Sequence, residues 1–168
     1  MIQLRSFKEI DFYYLIKWAD TPEILLQWAG PTFDFPLNND QLFSYLHTPD
    51  QQSYTAIDDS TGDRIGHIVL GRIDKRNNQA RIGKVFVSPS FRGRGVAEEM
   101  VRQTLTIAFD DLNLHKVTLG VFDFNHPAIR CYQKVGFKKD GVLRDHRRIG
   151  DEYWNTIEMS LLQKEWRT

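Results

Sequence analysis

The 168-residue sequence predicts one α/β domain, built on a mixed, mostly antiparallel central sheet of about seven strands with helices on both faces. Three observations predict it. Short runs rich in β-branched and aromatic residues recur at 2–5, 53–57, 65–73, 79–87, 116–122, 137–147 and 152–162, divided by polar turns or by stretches of helical periodicity. Most neighbours are joined by short turns and pair antiparallel, but a whole helix separates 80–87 from 116–122, so those two must lie parallel. Finally, Val85 to Val101 (VFVSPSFRGRGVAEEMV) runs from strand through a glycine-containing turn into the longest helix.

Taken in order, Ile2 to Arg5 reads as a short strand. Ser6 and Glu9 have capping-box spacing and open a helix with Phe7, Ile10, Tyr14, Leu15 and Trp18 on one face. Thr21-Pro22 starts a second helix through Ile24, Leu25 and Trp28, which Gly30-Pro31 ends. Asn38 to His47 forms a third. Three strands follow, with turns at Asp58–Asp63 and Lys75–Asn78. The long helix places Val96, Ala97, Met100, Val101, Leu105 and Ala108 on one face. A connection at 110–114 leads to the strand KVTLGVF (116–122), and Asn125 to Phe137 forms a short helix opened by Asn125 and Pro127 and closed by Gly136. Two strands joined around Ile149-Gly150-Asp151 finish the chain. No repeat or linker interrupts it, so residues 1–168 form a single domain.

Composition narrows the classes of function. No window of ~18 apolar residues suggests a membrane span, and the first residues read as a strand rather than a signal peptide. The single Cys131 leaves no internal disulfide and fits a reducing compartment, so a cytoplasmic location is the expectation. The five histidines lack metal-ligand spacing, so no metal is expected. Net charge is zero with no basic tract, which argues against nucleic acid as a partner. The charge is unevenly spread, however. Residues 1–60 hold three basic side chains against nine acidic ones, and residues 61–168 hold nineteen against thirteen. That asymmetry suggests an anion bound by the later part and a cationic acceptor received by the earlier part.

The turn at 92–97 has the chemistry of an anion site. The first turn of a helix has unpaired N–H groups and a dipole that favours negative charge. Gly93 and Gly95 let backbone approach a ligand, and Arg92 and Arg94 add positive charge. The Walker pattern is absent, and Glu98 stands where a dinucleotide fingerprint needs its third glycine. What is present is Arg-x-x-Gly-x-Ala, at Arg92, Gly95 and Ala97. This resembles the acyl-CoA loop of the GNAT superfamily of N-acyltransferases. The segment NHPAIRCYQKVGF (125–137) resembles a second signature of that superfamily, and the order of elements resembles its fold throughout the chain. The last third is similar to the subset that contains ribosomal-protein N-terminal alanine acetyltransferases and spermidine acetyltransferase.

The resemblance implies an acyl-CoA N-acyltransferase fold with a V-shaped splay between the 80–87 and 116–122 strands. It implies acetyl-CoA as acetyl donor and no metal. The pyrophosphate would rest on Arg92, Gly93, Arg94, Gly95, Val96 and Ala97, and the pantetheine on the strand residues Val85, Phe86 and Val87 and on Asn125 and Ala128. Ser88-Pro89 fits such a splay, since proline cannot donate to a neighbouring strand. Tyr132 falls at the family's general acid. A thiol of pKa ~8.5 lies below a phenol's ~10, so full proton transfer is uphill by about 2 kcal/mol and the tyrosine serves mainly as an oriented hydrogen-bond donor.

The implied reaction is acetyl transfer to a primary amine by direct attack in a ternary complex. Protein N-termini, polyamines and aminoglycoside-like amines remain open as acceptors. Residues 80–87 (ARIGKVFV) hold no carboxylate, and Arg81 stands where relatives often have Glu. Neutralising a lysine-like amine at pH 7 costs about 4.6 kcal/mol and an α-amine about 1, so the missing base favours a weakly basic amine or a carboxylate acting through water. Asp123, Asp145, Glu23 and His126 are the candidates for that role. Cys131 is expected to be a buried bystander rather than a nucleophile. A non-catalytic acyl-CoA-binding module or another nucleotide-phosphate binder would keep the loop without needing Tyr132. The two C-terminal strands also leave room for a homodimer.

Overall fold

A strand buried on both faces needs a layer above and a layer below. β3 (Arg64–Asp74) is such a strand, buried without a break from Ile65 to Gly71. The computed structural model describes residues 1–166. β3 sits inside a seven-stranded sheet of order β1-β2-β3-β4-β5-β7-β6, whose other strands are β1 (Ile2–Ser6), β2 (Gln52–Asp58), β4 (Gln79–Val87), β5 (Lys116–Phe122), β6 (Lys138–Ile149) and β7 (Glu152–Leu162). Every pairing is antiparallel except β4 with β5.

The two faces carry different layers. On one lie α4 (Val96–Thr106), prolonged by a π-helical turn at Ile107–Asp111, and α5 (His126–Val135). Met100, Val101, Leu105 and Phe109 pack there against Leu70, Ile82, Val117 and Leu119, all essentially inaccessible. On the other face lie α1 (Phe12–Trp18), α2 (Pro22–Ala29) and α3 (Asn39–Leu46). They close over an aromatic cluster of Phe7, Phe12, Trp28, Phe33, Tyr45 and Phe86. Thr21 and Asn38 cap α2 and α3 through their side chains, at 3.1 and 2.9 Å. A short α6 (Gln163–Trp166) ends the described chain and has no counterpart in the sequence reading.

The first helix begins later than the Ser6–Glu9 spacing predicts. Ser6 stays in β1, opposite Tyr54. Lys8 then precedes a single 3-10 turn, Glu9–Asp11. The cause is Asp11, whose buried carboxylate accepts from the Lys8 N–H at 2.9 Å, from Arg5 at 2.8 Å, from Arg64 at 3.2 Å and from the Thr55 hydroxyl at 2.9 Å. Tethered there, the chain turns its apolar face through Phe7, Phe12 and Leu15 and leaves Ile10 at 65% exposure.

His67 is enclosed by that aromatic layer at 1% exposure. Its Nε2 pairs with the Tyr45 hydroxyl at 2.8 Å, while Nδ1 has no partner among the described residues. Burial, helped by the nearby Lys84 charge, lowers its pKa from 6.5 to about 3. Below pH 6.5 the unfolded chain binds a proton here that the folded chain refuses, so stability falls with pH until the folded group titrates near 3. Between pH 6.5 and 5 the loss amounts to about 2 kcal/mol. Urea denaturation at the two pH values checks this, and His67→Gln should flatten the difference; an unchanged difference would place the proton elsewhere.

Candidate active site

β4 and β5 pair at Gln79–Lys116, Ala80–Val117 and Arg81–Thr118, and there the pairing stops. From Ile82 to Val87 the side of β4 that faces β5 has no strand partner. A bulge coincides with the divergence. The register of β4 on β3 shifts by one residue between the Val69–Gly83 and His67–Phe86 pairs, and Lys84 within it has φ 51°. Such a bulge bends and twists its strand. The Trp28 indole N–H fixes it by donating to the Lys84 carbonyl at 2.8 Å. β5 meanwhile stays with β7 as far as Phe122–Thr156. The strands therefore splay as the sequence predicts, but the split starts after Arg81, well before Val87.

The base of the split is held by an ion pair. Arg81 donates to both carboxylate oxygens of Glu158 on β7, each at 2.8 Å, reaching across β5. Gly120 leaves room for it, since a Cβ there would stand 2.6 Å from Arg81 Nη2 and 3.1 Å from Glu158 Oε1. Arg81 holds the Glu158 carboxyl below its ordinary pKa.

Above this base lies a cleft of about 1050 Å³. At one end, Gly93 and Gly95 take φ values of 77° and 76°, in the left-handed region. Gly95 is the N-cap of α4 and brings no side-chain acceptor, unlike Thr21, Asn38 and Asn125 at their helices. The first-turn N–H groups at Val96 and Ala97 thus open towards the cleft without a side-chain cap. Glu98 in the same turn is neutralised by Lys134 at 2.8 Å and Arg102 at 3.1 Å.

Val85, Phe86, Val87, Arg92, Gly93, Gly95, Val96, Ala97, Asn125, Ala128 and Tyr132 all line this one cleft. Val85 and Val87 lean on the α4–α5 layer, whereas Phe86 points the other way, stacked on Trp18 at 5.6 Å. Arg92 donates to the Val87 carbonyl at 3.2 Å, and its guanidinium lies over the Phe86 ring. Arg94 departs from the expectation: it is not among the lining residues, and its guanidinium lies over Phe91, 5.2 Å from the ring centroid. Asn125 Oδ1 accepts from the Ala128 N–H at 3.4 Å as the cap of α5. Tyr132 is 8% exposed and its hydroxyl has no hydrogen-bond partner among the described residues. Burial pushes that phenol well above its usual pKa. Cys131 also lines the cleft, its thiol raised by burial and by Glu98, so it stays protonated.

None of the four candidates for a base lines the cleft. Asp123 accepts from the Asn155 amide at 3.0 Å instead. Besides Glu98, which is paired with Lys134 and Arg102, the carboxylate and imidazole groups that line it are Glu158 and His146, which sequence reasoning missed. Their presence depends on β6 and β7 folding back beside β5, and no local pattern encodes that pairing. The acidic first third does not reach the site either, because none of its nine carboxylates is among the lining residues.

A profile of the GNAT acetyltransferase family matches residues 12–137. The chain belongs to that family. This GNAT N-acetyltransferase is 25% identical over 165 residues to a spermidine N(1)-acetyltransferase of Escherichia coli, covering 98% of this chain and 88% of that one. It is 31% identical over 117 residues to a probable N-acetyltransferase, YjcK, of Bacillus subtilis, covering 69% and 65%. The structure of the Vibrio cholerae spermidine N-acetyltransferase with CoA and spermine superimposes with a TM-score of 0.87 at 24% identity, covering 99% and 98%. Among the described residues of this GNAT member, no helix is long and apolar enough to cross a membrane.

The ion pair at the base of the split is about three-quarters buried on both sides. A double-mutant cycle of Arg81→Met and Glu158→Gln should give a coupling of about 1–2 kcal/mol in urea unfolding. Arg81→Met alone should raise the Glu158 pKa towards its ordinary 4.5, read by NMR titration. Additive single effects would remove this role for the pair.

Proposed function

We propose that this GNAT member binds acetyl-CoA in the split between β4 and β5 and passes the acetyl group to a primary amine by direct attack. The observation that carries this reading is the convergence of two features on one cleft. An uncapped helix N-terminus sits at one end, and a partnerless, protonated phenol opens onto the same space. The first suits a pyrophosphate, with Arg92 beside it. The unpaired side of β4 suits the two amides of pantetheine, which can hydrogen-bond like a strand. Asn125 and Ala128 lie where the arm would pass.

In the transfer step the amine nitrogen bonds to the thioester carbonyl carbon, the C–S bond breaks, and the sulfur leaves as thiolate. Tyr132 is positioned to donate a hydrogen bond to that sulfur. With its pKa raised by burial, the phenol remains protonated and acts through the hydrogen bond more than through completed transfer. The acceptor must lose a proton. Glu158 is a weak base because Arg81 stabilises its charge. His146 lies in the cleft, and burial together with Arg147 keeps its pKa below 6.5, so it is neutral at pH 7 and able to accept that proton through water.

Thiol release from acetyl-CoA in the presence of an amine panel tests the reaction. Tyr132→Phe should lower kcat by roughly 10²-fold while the KM for acetyl-CoA stays within about twofold. An unchanged kcat would remove the assignment to Tyr132. CoA binding without thiol release for any amine would favour a non-catalytic binding module.

A further inference from the structure

The half of the cleft away from α4 has a charge that the relatives' names do not suggest. Its lining includes Arg72 from β3, Arg81 and Lys84 from β4, His146 and Arg147 from β6, and Glu158 from β7. Glu158 is the sole carboxylate of this half among the described residues, and both its oxygens are taken by Arg81. Arg72, Lys84 and Arg147 are left without an ion-pair partner. The Arg147 guanidinium donates to the neighbouring His146 carbonyl at 3.1 Å, and the Lys84 ammonium lies 5.4 Å from the centroid of the Tyr45 ring, neither of which supplies a negative charge. Burial and the nearby Arg72 also lower the Lys84 pKa, and Glu158, whose charge Arg81 and Arg72 both stabilise, is the single carboxylate among the described residues set against these cations.

Resting on the acetyl-transfer reading above, we propose that the acceptor is a primary amine that also carries an anionic group, a carboxylate or a phosphate, seated against Arg72, Lys84 and Arg147. Arginine presents a planar fork of donors that matches either group, and lysine adds a point charge. The anion would supply the charge the three cations lack, and would leave the amine to approach the thioester on the Tyr132 side. A polyamine meets the opposite situation. Its ammonium groups would enter a space that already holds unpaired cations, where like-charge juxtaposition is costly. The acidic first third, which would have to offset this, contributes no carboxylate to the lining.

The test uses matched probes on the full chain loaded with CoA. Glucosamine 6-phosphate is compared with glucosamine, alanyl-alanine with its C-terminal amide, and spermidine stands alone. Calorimetry reads binding, and thiol release from acetyl-CoA reads turnover. The anion-bearing member of at least one pair should bind about tenfold more tightly than its neutral twin, and which pair responds separates phosphate from carboxylate. Arg147→Gln and Arg72→Gln should each cut that binding advantage, read by calorimetry, to less than about threefold. Arg72 is exposed, so its variant guards against a folding defect at Arg147. Twins that bind alike, spermidine binding more tightly than either anion-bearing probe, or no binding by any probe would each overturn the proposal. Tighter binding of the anionic probe with no thiol release for any amine would leave the anion seat standing and refute the transfer reaction instead.

Discussion

The whole site depends on β4 running out of a partner. A parallel pair normally continues as long as both strands last, since each unpaired backbone group has to find another acceptor or donor. Here three pairings are made and then abandoned. The bulge at Lys84 shifts the register of β4 on β3, and the Trp28 indole takes the Lys84 carbonyl, so β4 bends while β5 remains bound to β7. The Arg81–Glu158 pair over Gly120 then occupies the point of divergence with groups that cannot be pressed out as apolar side chains could. Opening, bending and wedging all arise from residues on four different strands and one helix.

Around that split the two layers have separate work. The α4–α5 layer supplies a conventional apolar core and, at its rim, the uncapped helix start and Tyr132. The N-terminal layer is aromatic, and it reaches the cleft through Trp28, whose ring packs between Phe33, Phe86 and His67. Its carboxylates lie elsewhere. Asp11, the most enclosed of them, is bound to Arg5 and Arg64 beneath the first helix. Charge counted along the chain therefore misleads about charge in the cleft. The acidic third is acidic on its outside and at one internal lock, while the half of the cleft opposite α4 is cationic.

Much of this was legible beforehand, for identifiable reasons. Strands 79–87, 116–122 and 152–162 and the caps at Thr21, Asn38 and Asn125 follow from local chemistry: β-branched runs, cap residues and prolines act within a few positions. The backbone of the turn at 92–97 is equally local, because Gly93 and Gly95 announce their φ values by lacking a side chain. The start of α1 was not, since Asp11 is captured by Arg64, 53 residues away. Arg92 and Arg94 are equivalent in the sequence, but Arg92 lies over Phe86 and Arg94 over Phe91, a difference set by rings that no local pattern announces. Glu158 and His146 sit on strands with nothing distinctive about them, and their place in the cleft depends on pairings with β5 and β7. Gly83 stands at the edge of the bulge at Lys84, but a lone glycine inside a strand run does not fix where the register slips.

One consequence reaches beyond catalysis. An open sheet ordinarily has two edges, here β1 and β6, and the latter is dressed with Lys138, Lys139, Asp140, Arg144 and Asp145 in the manner that discourages another chain from adding on. Splitting the sheet creates two more, along the upper halves of β4 and β5, in the middle of the molecule. These inner edges are bare of such charges over Val85 to Val87, and their protection comes from shortness, from Ser88-Pro89 ending the run, and from Arg92 covering the Val87 carbonyl. The fold thus keeps a small aggregation hazard concealed in a crevice, and the same exposed backbone that would invite a foreign strand is the surface on which the proposed seat for a slender, amide-bearing molecule relies.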